Sequence, residues 1–345
     1  MRKFLYKLSY TVLPLWLLAV GTTVYYNVRI RPNETGDLGA LGKVPFGLFW
    51  DMAEPQGEKP YPDFATPESL QGQSFDVLTV GDSFSNQGYP GYQTGIVSTG
   101  LSLGNYVPEA VPLLNPFQSA YDLIDRGAVD STVCRTLVVE TACRIFPRRV
   151  LGINTDPERG EQLKYVQPKV EHTDAWALQG ARTWFLLWTG LVKRPVLHAT
   201  LTDTLFTGPR GNELYIYKDD LLYPSIAEDQ RETIIANIRT LHKKAAEAGI
   251  HLFVLVVPDK YEVYQDHIAN NPFPPKTLCN DIAQLEGVSG YIFVGDRVLH
   301  PFISAGEKDV YKMNDSHWSH KAAWPVGKQL GERIKEAARG AETVR

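Results

Sequence analysis

Cysteine is scarce in this sequence, and the shortage excludes a fold held together by a framework of disulfide bonds. The 345 residues include three cysteines, Cys134, Cys143 and Cys279. Cys134 and Cys143 flank an apparent strand, so at about 3.3 Å per extended residue they would lie too far apart to form a disulfide. We therefore predict free, buried thiols.

An excess of positive charge, internal repeats and low-complexity tracts are also lacking. The net charge is −4, which argues against a nucleic-acid partner. The composition is otherwise that of an ordinary globular protein. The length suffices for one large or two modest domains with an ample core.

A long run without charged residues lies at the N-terminus. Residues 8–28 are largely apolar, and as a helix rising about 1.5 Å per residue they would span about 30 Å, the hydrocarbon core of a bilayer. Basic residues flank the run, and their slight excess before it favours a cytoplasmic N-terminus. No clean small-x-small cleavage site follows, so we predict an uncleaved membrane anchor in residues 1–30. A cleaved signal peptide and a buried core helix are the alternatives.

The rest of the chain divides into a tether and a globular domain. Residues 31–72 are rich in Gly, Pro and Asp, which is typical of a tether. In residues 73–345, apolar runs alternate with helical patterns, which predicts an α/β domain with a mostly parallel sheet covered on both faces. The predicted strands are residues 75–80, 136–140, 251–257 and 290–294, and the predicted helices are residues 119–127, 228–248 and 322–338.

Residues 146–205 interrupt this alternation and indicate an insertion. They contain an aromatic-rich run, residues 184–192, that is too short to span a bilayer. We favour a helix that packs on the core, because buried aromatic side chains usually belong to a core. A surface that faces the membrane or a partner is the alternative.

Two short motifs at opposite ends of this domain carry the predicted chemistry. Gly81-Asp82-Ser83-Phe84-Ser85 follows the predicted strand 75–80, and a serine just past a strand, behind a glycine that permits a sharp turn, is where α/β folds expose a nucleophile. Asp315-Ser316-His317-Trp318 supplies a histidine to take the serine proton and an aspartate to orient that histidine. We predict a catalytic triad of Ser83, His317 and Asp315. A helix beginning just after Ser83 would also direct its N-terminal N–H groups at the oxyanion.

A metal site is the alternative use of the second motif. His317 and His320 have the i, i+3 spacing of metal ligands, with Asp315 nearby. A zinc ion needs three or four ligands, and this segment of the sequence contains no third histidine or cysteine. We therefore predict neither a metal nor a cofactor, and a metal-dependent hydrolase stays a rival interpretation.

The two motifs resemble those of the SGNH (GDSL-type) hydrolase superfamily. Residues 138–144, 211–217, 257–264 and 315–318 are similar to its polysaccharide O-acetyltransferase branch, the alginate O-acetyltransferase AlgX/AlgJ type. The resemblance implies a flavodoxin-like three-layer α/β/α fold and transfer of an acetyl group to a sugar hydroxyl of an exopolysaccharide or cell-envelope glycan. It also implies a membrane-bound O-acyltransferase (MBOAT) partner as acetyl donor. The catalytic domain is then expected on the periplasmic side of the bacterial cytoplasmic (inner) membrane, held by one N-terminal helix.

The chain departs from that branch in the order of its motifs. In the alginate proteins the Val-Pro…Lys and Asp-x-His-Trp blocks precede Gly-Asp-Ser-Phe, whereas here residues 257–260 and 315–318 follow residues 81–84. This is the order of ordinary SGNH enzymes. We therefore expect a sister family, and the particular polysaccharide does not carry over.

The Gly and Asn residues that complete the superfamily's oxyanion site are not recognisable. The strand that should deliver the Asn ends in Glu140, which cannot donate a hydrogen bond while it is ionised. The Ser83 N–H is the expected oxyanion donor. The candidates for further oxyanion donors or supporting residues are Asp82, Gly88, Glu140 and Arg144. For Glu140 and Arg144, which stand at i, i+4, we favour a structural ion pair.

An acceptor groove is predicted from aromatic and basic residues, because aromatic rings stack on sugar faces. The candidates are Tyr89, Tyr92, Lys260, Tyr264 and Trp318, and core or surface positions suit them equally well. Besides the metal-dependent hydrolase, two further rival functions stand beside acetyl transfer. An acetylesterase or lipase would use the same triad, whereas a non-enzymatic glycan-binding protein or scaffold for the acyltransferase would not need it.

Overall fold

The structure, a computed structural model, describes residues 57–107, 115–155, 196–208 and 210–343, with isolated positions nearer the N-terminus. Its strands are β1 (Asp63–Phe64), β2 (Phe75–Val80), β3 (Leu103–Tyr106), β4 (Cys134–Ala142), β5 (Val196–Thr200), β6 (Glu213–Tyr217), β7 (His251–Val257) and β8 (Ile292–Val294). Its α-helices are α1 (Tyr92–Val97), α2 (Pro116–Asp125), α3 (Phe146–Leu151), α4 (Glu228–Glu247), α5 (Lys260–Tyr264), α6 (Leu278–Ala283), α7 (Asp296–Ser304) and α8 (His320–Thr343). Short 3₁₀ helices occupy Pro67–Leu70, Cys143–Ile145, Lys218–Leu221, Gln265–His267 and Ser289–Tyr291.

The centre of the domain is a parallel sheet with strand order β1-β3-β2-β4-β7-β8. The predicted mostly parallel α/β architecture is therefore confirmed. β2 and β7 coincide with the predicted strands, and β4 extends its predicted strand at both ends. Because the strands are parallel, the segments that follow β2, β4 and β7 all emerge at the same edge of the sheet.

Alternate residues of the central strands enter two hydrophobic cores on opposite faces of the sheet. Val138 of β4 belongs to the core that includes residues of α1 and α8, whereas Leu137 and Val139 belong to the core that includes residues of α2, α4 and α6. Helices therefore cover both faces. This burial on two sides is why the strands are continuous apolar runs in the sequence.

The helices α1 and α8 approach each other closely because glycines lie at their contact. A Cβ atom built on Gly95 would lie 2.2 Å from the carbonyl oxygen of Trp324. One built on Gly327 would lie 1.8 Å from the carbonyl oxygen of Tyr92. These positions leave room for a hydrogen atom only, so the two backbones can meet where a side chain would separate them.

The strands β1, β3, β5 and β6 were not predicted. β3 has four residues, and two of them, Gly104 and Asn105, belong to types that are depleted in strands. β5 and β6 form a separate antiparallel pair. Leu214 and Ile216 of β6 join the core that includes α1 and α8, so this pair is part of the domain's packing.

Most of the predicted anchor and tether, and the aromatic run 184–192, lie outside the described residues. In the part of the chain that the structure describes, no helix has the length and apolar character needed to cross a membrane. α3 and β5 occupy the two ends of the predicted insertion.

Candidate active site

The predicted nucleophile lies in a tight turn directly after β2. The N–H of Ser85 donates to the carbonyl oxygen of Asp82 at 3.1 Å, and the N–H of Asn86 donates to that of Ser83 at 3.2 Å. Ser83 is exposed, whereas Ser85 is buried. The chain continues from Ser83 as turns, and α1 begins only after a further loop. The expectation of a helix directly after Ser83 was therefore wrong, and an oxyanion here would face a turn.

Gly81 permits this turn through close approach of its neighbours. A Cβ atom built on Gly81 would lie 1.9 Å from Oγ of Ser85 and 2.3 Å from Oε2 of Glu140. No side chain fits in that space without displacing the buried groups beneath the turn. The glycine of the motif is thus required by packing around its Cα atom.

Ser83, His317 and Asp315 form one chain of hydrogen bonds. Oγ of Ser83 lies 2.8 Å from Nε2 of His317, and Nδ1 of His317 lies 2.6 Å from Oδ1 of Asp315. The same aspartate oxygen accepts the backbone N–H of His317 at 3.0 Å. With the Nδ1 proton directed at the carboxylate, Nε2 carries the lone pair that can accept the hydroxyl proton of Ser83. The three side chains have the geometry of a nucleophile, a general base and a group that orients the base.

A buried ammonium group holds the loop that carries Asp315 and His317. Nζ of Lys260 donates to the carbonyl oxygens of Lys312, Met313 and Asp315 at 2.7, 2.9 and 3.2 Å. Lys260 begins α5, shortly after β7, and is fully buried. Its predicted place in an acceptor groove was wrong, because its side chain fixes the histidine loop from inside the domain.

Aromatic contacts join the serine turn to the histidine loop. The ring centroid of Phe84 lies 4.6 Å from that of His317 and 5.5 Å from that of Trp318. The side-chain amide of Gln87 donates to the carbonyl oxygen of Trp318 at 3.2 Å. Phe84 and Trp318 are buried, so their packing sets the position of the imidazole ring relative to Ser83.

Most of the predicted acceptor-binding aromatics are core residues. Tyr92, Tyr264 and Trp318 are buried, and their rings contact other aromatic side chains inside the domain. This corrects their predicted position in a groove. Tyr89 is partly exposed, so it alone among the predicted aromatics keeps a position at the surface.

Asp82 stabilises the serine turn from behind. Its Oδ1 accepts the N–H of Phe84 at 3.0 Å, and its Oδ2 accepts the N–H of Ala142 at 3.2 Å and pairs with the guanidinium of Arg149. Burial by itself would raise the pKa of Asp82. The charge of Arg149 and these hydrogen bonds outweigh that effect and hold the pKa below its ordinary value. An ionised Asp82 therefore links the turn to the end of β4.

Glu140 lies beneath the turn as a buried carboxyl group. Its Oε2 accepts the N–H of Asp82 at 2.9 Å and the hydroxyl of Ser85 at 2.8 Å, and that hydroxyl lies 2.9 Å from the hydroxyl of Tyr92. Burial, reinforced by the charge of Asp82, raises the pKa of Glu140 well above its ordinary value. The neutral form is therefore favoured, in contrast to the ionised Glu140 that the predicted ion pair with Arg144 requires.

Arg144 is bound elsewhere, and the predicted Glu140–Arg144 ion pair does not form. The Nη1 atom of Arg144 lies 3.3 Å from Oδ1 of Asp220 and 3.2 Å from Oδ1 of Asp259. Glu140 stands in β4, whose extended backbone runs on to Ala142 and separates residues at i, i+4 far more than a helix does. Arg144 therefore links the segments that follow β4, β6 and β7, and its pairing with two carboxylates argues against a role as oxyanion donor.

The backbone N–H groups around Ser83 are used within the turn. Those of Asp82, Phe84, Ser85 and Asn86 each donate to an oxygen of the turn or of Glu140. Among the hydrogen bonds that the structure describes, the N–H of Ser83 makes none, which leaves it available to an oxyanion. The left-handed backbone of Gly88, with a φ of 85°, accounts for glycine at that position.

Sequence reasoning missed Arg149 and the structural role of Ser85. Arg149 lies in α3, within the predicted insertion, and its basic character gave no sign that it pairs with Asp82. The carbonyl oxygen of Ser85 accepts hydrogen bonds from Gln93 at 2.9 Å and Asn105 at 3.3 Å. Asn105 belongs to β3, the strand that was not recognised, so nothing local in the sequence indicated this contact.

Comparison with known proteins agrees with the predicted resemblance. Residues 211–344 match the family described as "SGNH hydrolase-like domain, acetyltransferase AlgX". A "probable alginate O-acetylase AlgJ" from Pseudomonas fluorescens is 27% identical over 150 residues, which cover 41% of this chain and 38% of the relative. The protein of the same description from Pseudomonas aeruginosa is 26% identical over 152 residues, with 41% and 37% covered. No solved structure matches the chain at comparable significance.

These matches confirm the resemblance to the AlgX/AlgJ type of SGNH protein, at low identity. The similarity spans less than two fifths of the length of either curated relative. The segment that matches the family contains Asp315 and His317, and Ser83 precedes it. Support for Ser83 as part of the same site therefore comes from its hydrogen bond to His317.

Proposed function

We propose that this protein is a serine-dependent O-acetyltransferase that modifies an exopolysaccharide or cell-envelope glycan. The observation that carries the proposal is the hydrogen-bonded chain of Ser83, His317 and Asp315 at one edge of a parallel sheet. The similarity to the AlgX family and to probable alginate O-acetylases supports acetyl as the group transferred and a polysaccharide as the acceptor. The parallel sheet with helices on both faces is in keeping with a flavodoxin-like SGNH fold.

In the first half of the proposed reaction, Ser83 takes the acetyl group from its donor. Oγ of Ser83 attacks the acetyl carbonyl carbon while Nε2 of His317 accepts the hydroxyl proton. The oxyanion that forms is stabilised by the N–H of Ser83. Collapse of this intermediate expels the donor's leaving group, which receives the proton from Nε2, and acetyl-serine is left.

In the second half, a sugar hydroxyl accepts the acetyl group. Nε2 of His317 takes the hydroxyl proton as the sugar oxygen attacks the acetyl carbon, and the proton then returns to Oγ of Ser83 as that oxygen leaves. Asp315 keeps the Nδ1 proton in place and stabilises the imidazolium formed in each half. Transfer exceeds hydrolysis only if the sugar is held close enough to outcompete water.

A membrane setting and an acyltransferase partner belong to the same proposal. The described positions between Tyr10 and Gly21 are helical, and apolar side chains among them, such as Leu13 and Trp16, are exposed. Exposed apolar surface favours contact with lipid. We propose that this segment anchors the protein in the bacterial inner membrane, with the catalytic domain in the periplasm, where a membrane-bound O-acyltransferase supplies the acetyl group.

A fusion to a phosphatase that is active only in the periplasm tests this topology. Fused to the C-terminus, the phosphatase should be active in intact cells, and an inactive fusion would contradict the topology.

The test of the chemistry compares the full-length protein with Ser83→Ala on a chromogenic acetyl ester, with and without oligosaccharide acceptors that include alginate fragments. We expect Ser83→Ala to lower both acetate release and acetylated sugar, detected by mass spectrometry, by at least about 10³-fold. Ser304→Ala, at an exposed position that ends α7, is the matched control and should behave as the wild type.

The outcomes separate the rival functions. Serine-dependent acetate release without acetylated sugar would favour an acetylesterase or lipase. Equal rates for the wild type and Ser83→Ala would overturn the triad. They would leave a metal-dependent hydrolase, which a chelator would inactivate, or a non-enzymatic glycan-binding or scaffold function.

A further inference from the structure

Cys143 and Cys279 meet inside the domain although 136 positions separate them in the sequence. The three cysteines are free and buried, as predicted. The Sγ atoms of Cys143 and Cys279, however, lie 3.0 Å apart. A disulfide requires a separation of about 2.05 Å, so a small movement of two side chains would bring these sulfur atoms to bonding distance.

Both cysteines lie in regular structure, which fixes their approach. Cys143 begins the 3₁₀ helix that directly follows β4, and Cys279 lies in α6. The N–H of Cys279 donates to Oε1 of Glu262 at 2.7 Å, and the thiol of Cys143 lies 3.6 Å from Oε2 of the same carboxyl group. Cys134 stands at the opposite end of β4, so it is separated from this pair by the length of the strand.

We propose that Cys143 and Cys279 form a disulfide bond in the mature protein. The two thiols lose two protons and two electrons as the S–S bond forms, and a disulfide oxidant, such as oxidised glutathione or a disulfide-bearing oxidoreductase, is reduced to two thiols. The bond would tie the end of β4 to α6. It would form whether or not the protein transfers acetyl groups, because neither sulfur belongs to the triad.

Burial indicates when the bond forms. Desolvation raises the pKa of the Cys143 thiol to about 12 and that of Cys279 well above its ordinary value. The reactive thiolate is therefore scarce once the domain has folded. Oxidation is expected during folding, while the thiols are still exposed, and the finished bond should resist reductants that cannot enter the core.

A metal ion is the rival occupant of this place, since Cys143, Glu262 and Cys279 offer three ligand atoms within 4.8 Å of one another. The structure favours the disulfide for two reasons. Thiolates on a tetrahedral zinc ion, with Zn–S bonds of about 2.3 Å, stand about 3.8 Å apart, and a structural zinc site uses four ligands.

The test counts free thiols in the full-length chain, refolded with reduced and oxidised glutathione and with zinc chloride present. Zinc bound to the folded chain is counted first. The chain is then unfolded at pH 7 in guanidinium chloride with a chelator, alkylated with N-ethylmaleimide and weighed by mass spectrometry, with and without prior reduction. We expect one adduct before reduction and three after it, and a peptide map that links Cys143 to Cys279. Three adducts before reduction would overturn the disulfide, and one equivalent of zinc on those chains would assign the cluster to the metal.

Single variants identify the bonded pair. Cys134→Ala should show no adduct before reduction, because both remaining thiols are linked, whereas Cys279→Ala should show two. No adduct in Cys279→Ala would mean that Cys134 and Cys143 pair, against the inference.

A further check measures the thermal stability of the wild type before and after reduction. Complete reduction should lower its Tm by about 5–15 °C, because the bond closes a long loop, and an unchanged Tm would count against the bond.

Discussion

At the residue scale, the hydrogen bond from His317 to Asp315 decides which imidazole nitrogen carries the proton. An asparagine at position 315 presents an amide N–H₂ group that favours the opposite tautomer, in which Nε2 is protonated and cannot accept the proton of Ser83. We expect Asp315→Asn to lower kcat for ester cleavage by about 10³–10⁴-fold, with KM and Tm almost unchanged. Steady-state kinetics beside a thermal melt would check this. A loss that appears only in KM would show that Asp315 acts in binding.

Glu140 permits a second prediction at this scale, because burial raises its pKa and favours the neutral form of its carboxyl group. Glu140→Gln preserves the shape and an acceptor oxygen, so we expect it to keep most of the stability and activity. Glu140→Ala leaves the N–H of Asp82 without its acceptor, removes one of the two partners of the Ser85 hydroxyl and opens a cavity, which should cost about 2–4 kcal/mol in the free energy of unfolding. Urea unfolding of the two variants measures the difference. Equal damage from both would indicate an ionised Glu140.

The site residues differ in how well the sequence predicts their roles. Ser83, Asp315 and His317 were predicted because each sits in a short motif whose spacing carries the chemistry. Lys260 and Tyr264 were placed in a groove because residue type alone does not report burial. Lys260 proved to be a buried donor to three carbonyl groups, contacts that depend on the tertiary fold.

At the element scale, the contact of α1 with α8 depends on glycines, and one variant tests it. Gly327→Ala places a methyl group against the carbonyl oxygen of Tyr92, so the overlap should outweigh the gain in helix propensity and cost about 1–3 kcal/mol. Gly340 is the matched control in the same helix, because a Cβ there meets nothing within 4 Å. Gly340→Ala should leave stability unchanged or raise it slightly. Equal effects of the two variants, measured by urea unfolding, would refute the close-contact argument.

The elements also differ in how far the sequence defined them. β2 and β7 matched their predicted bounds because strands buried on both faces are uninterrupted apolar runs. β3 escaped recognition because four residues that include Gly104 and Asn105 carry too little strand signal. The contacts of Arg149 and Arg144 were unpredictable for a different reason, since their carboxylate partners lie on other elements.

At the scale of the whole molecule, the parallel sheet assembles the site from distant segments. β2 delivers Ser83, β4 delivers Glu140 and β7 leads to Lys260, all at one edge, while the loop before α8 brings His317 to Ser83 across 234 positions of sequence. Each segment is also tied to a neighbour by a buried polar contact. Titration of buried carboxyl groups should therefore be visible in the stability of the domain as a whole.

Glu262, in α5, supplies the clearest such group. Burial, reinforced by the charge of Asp259 and partly offset by Lys276, raises its pKa from 4.5 to about 7. Below about pH 4.5 both the folded and the unfolded chain carry the proton, and the group does not oppose folding. As the pH rises toward 7, the unfolded chain releases the proton while the folded chain retains it, so stability falls across that window and then levels off.

Glu262→Gln removes this titration and keeps an acceptor for the N–H of Cys279. Between pH 4.5 and about 7 the wild type should lose stability relative to the variant, by about 3 kcal/mol in total, because each pKa unit corresponds to about 1.4 kcal/mol. Asp220, whose pKa is also raised to about 7 by burial, contributes a similar decline to both proteins and cancels in the comparison. Urea unfolding of both, kept fully reduced, at pH 5 and pH 7.5 measures the difference. Parallel stability curves would show that Glu262 titrates alike in the folded and unfolded chains, and a wild type that gains stability with rising pH would mean that it is ionised in the folded domain.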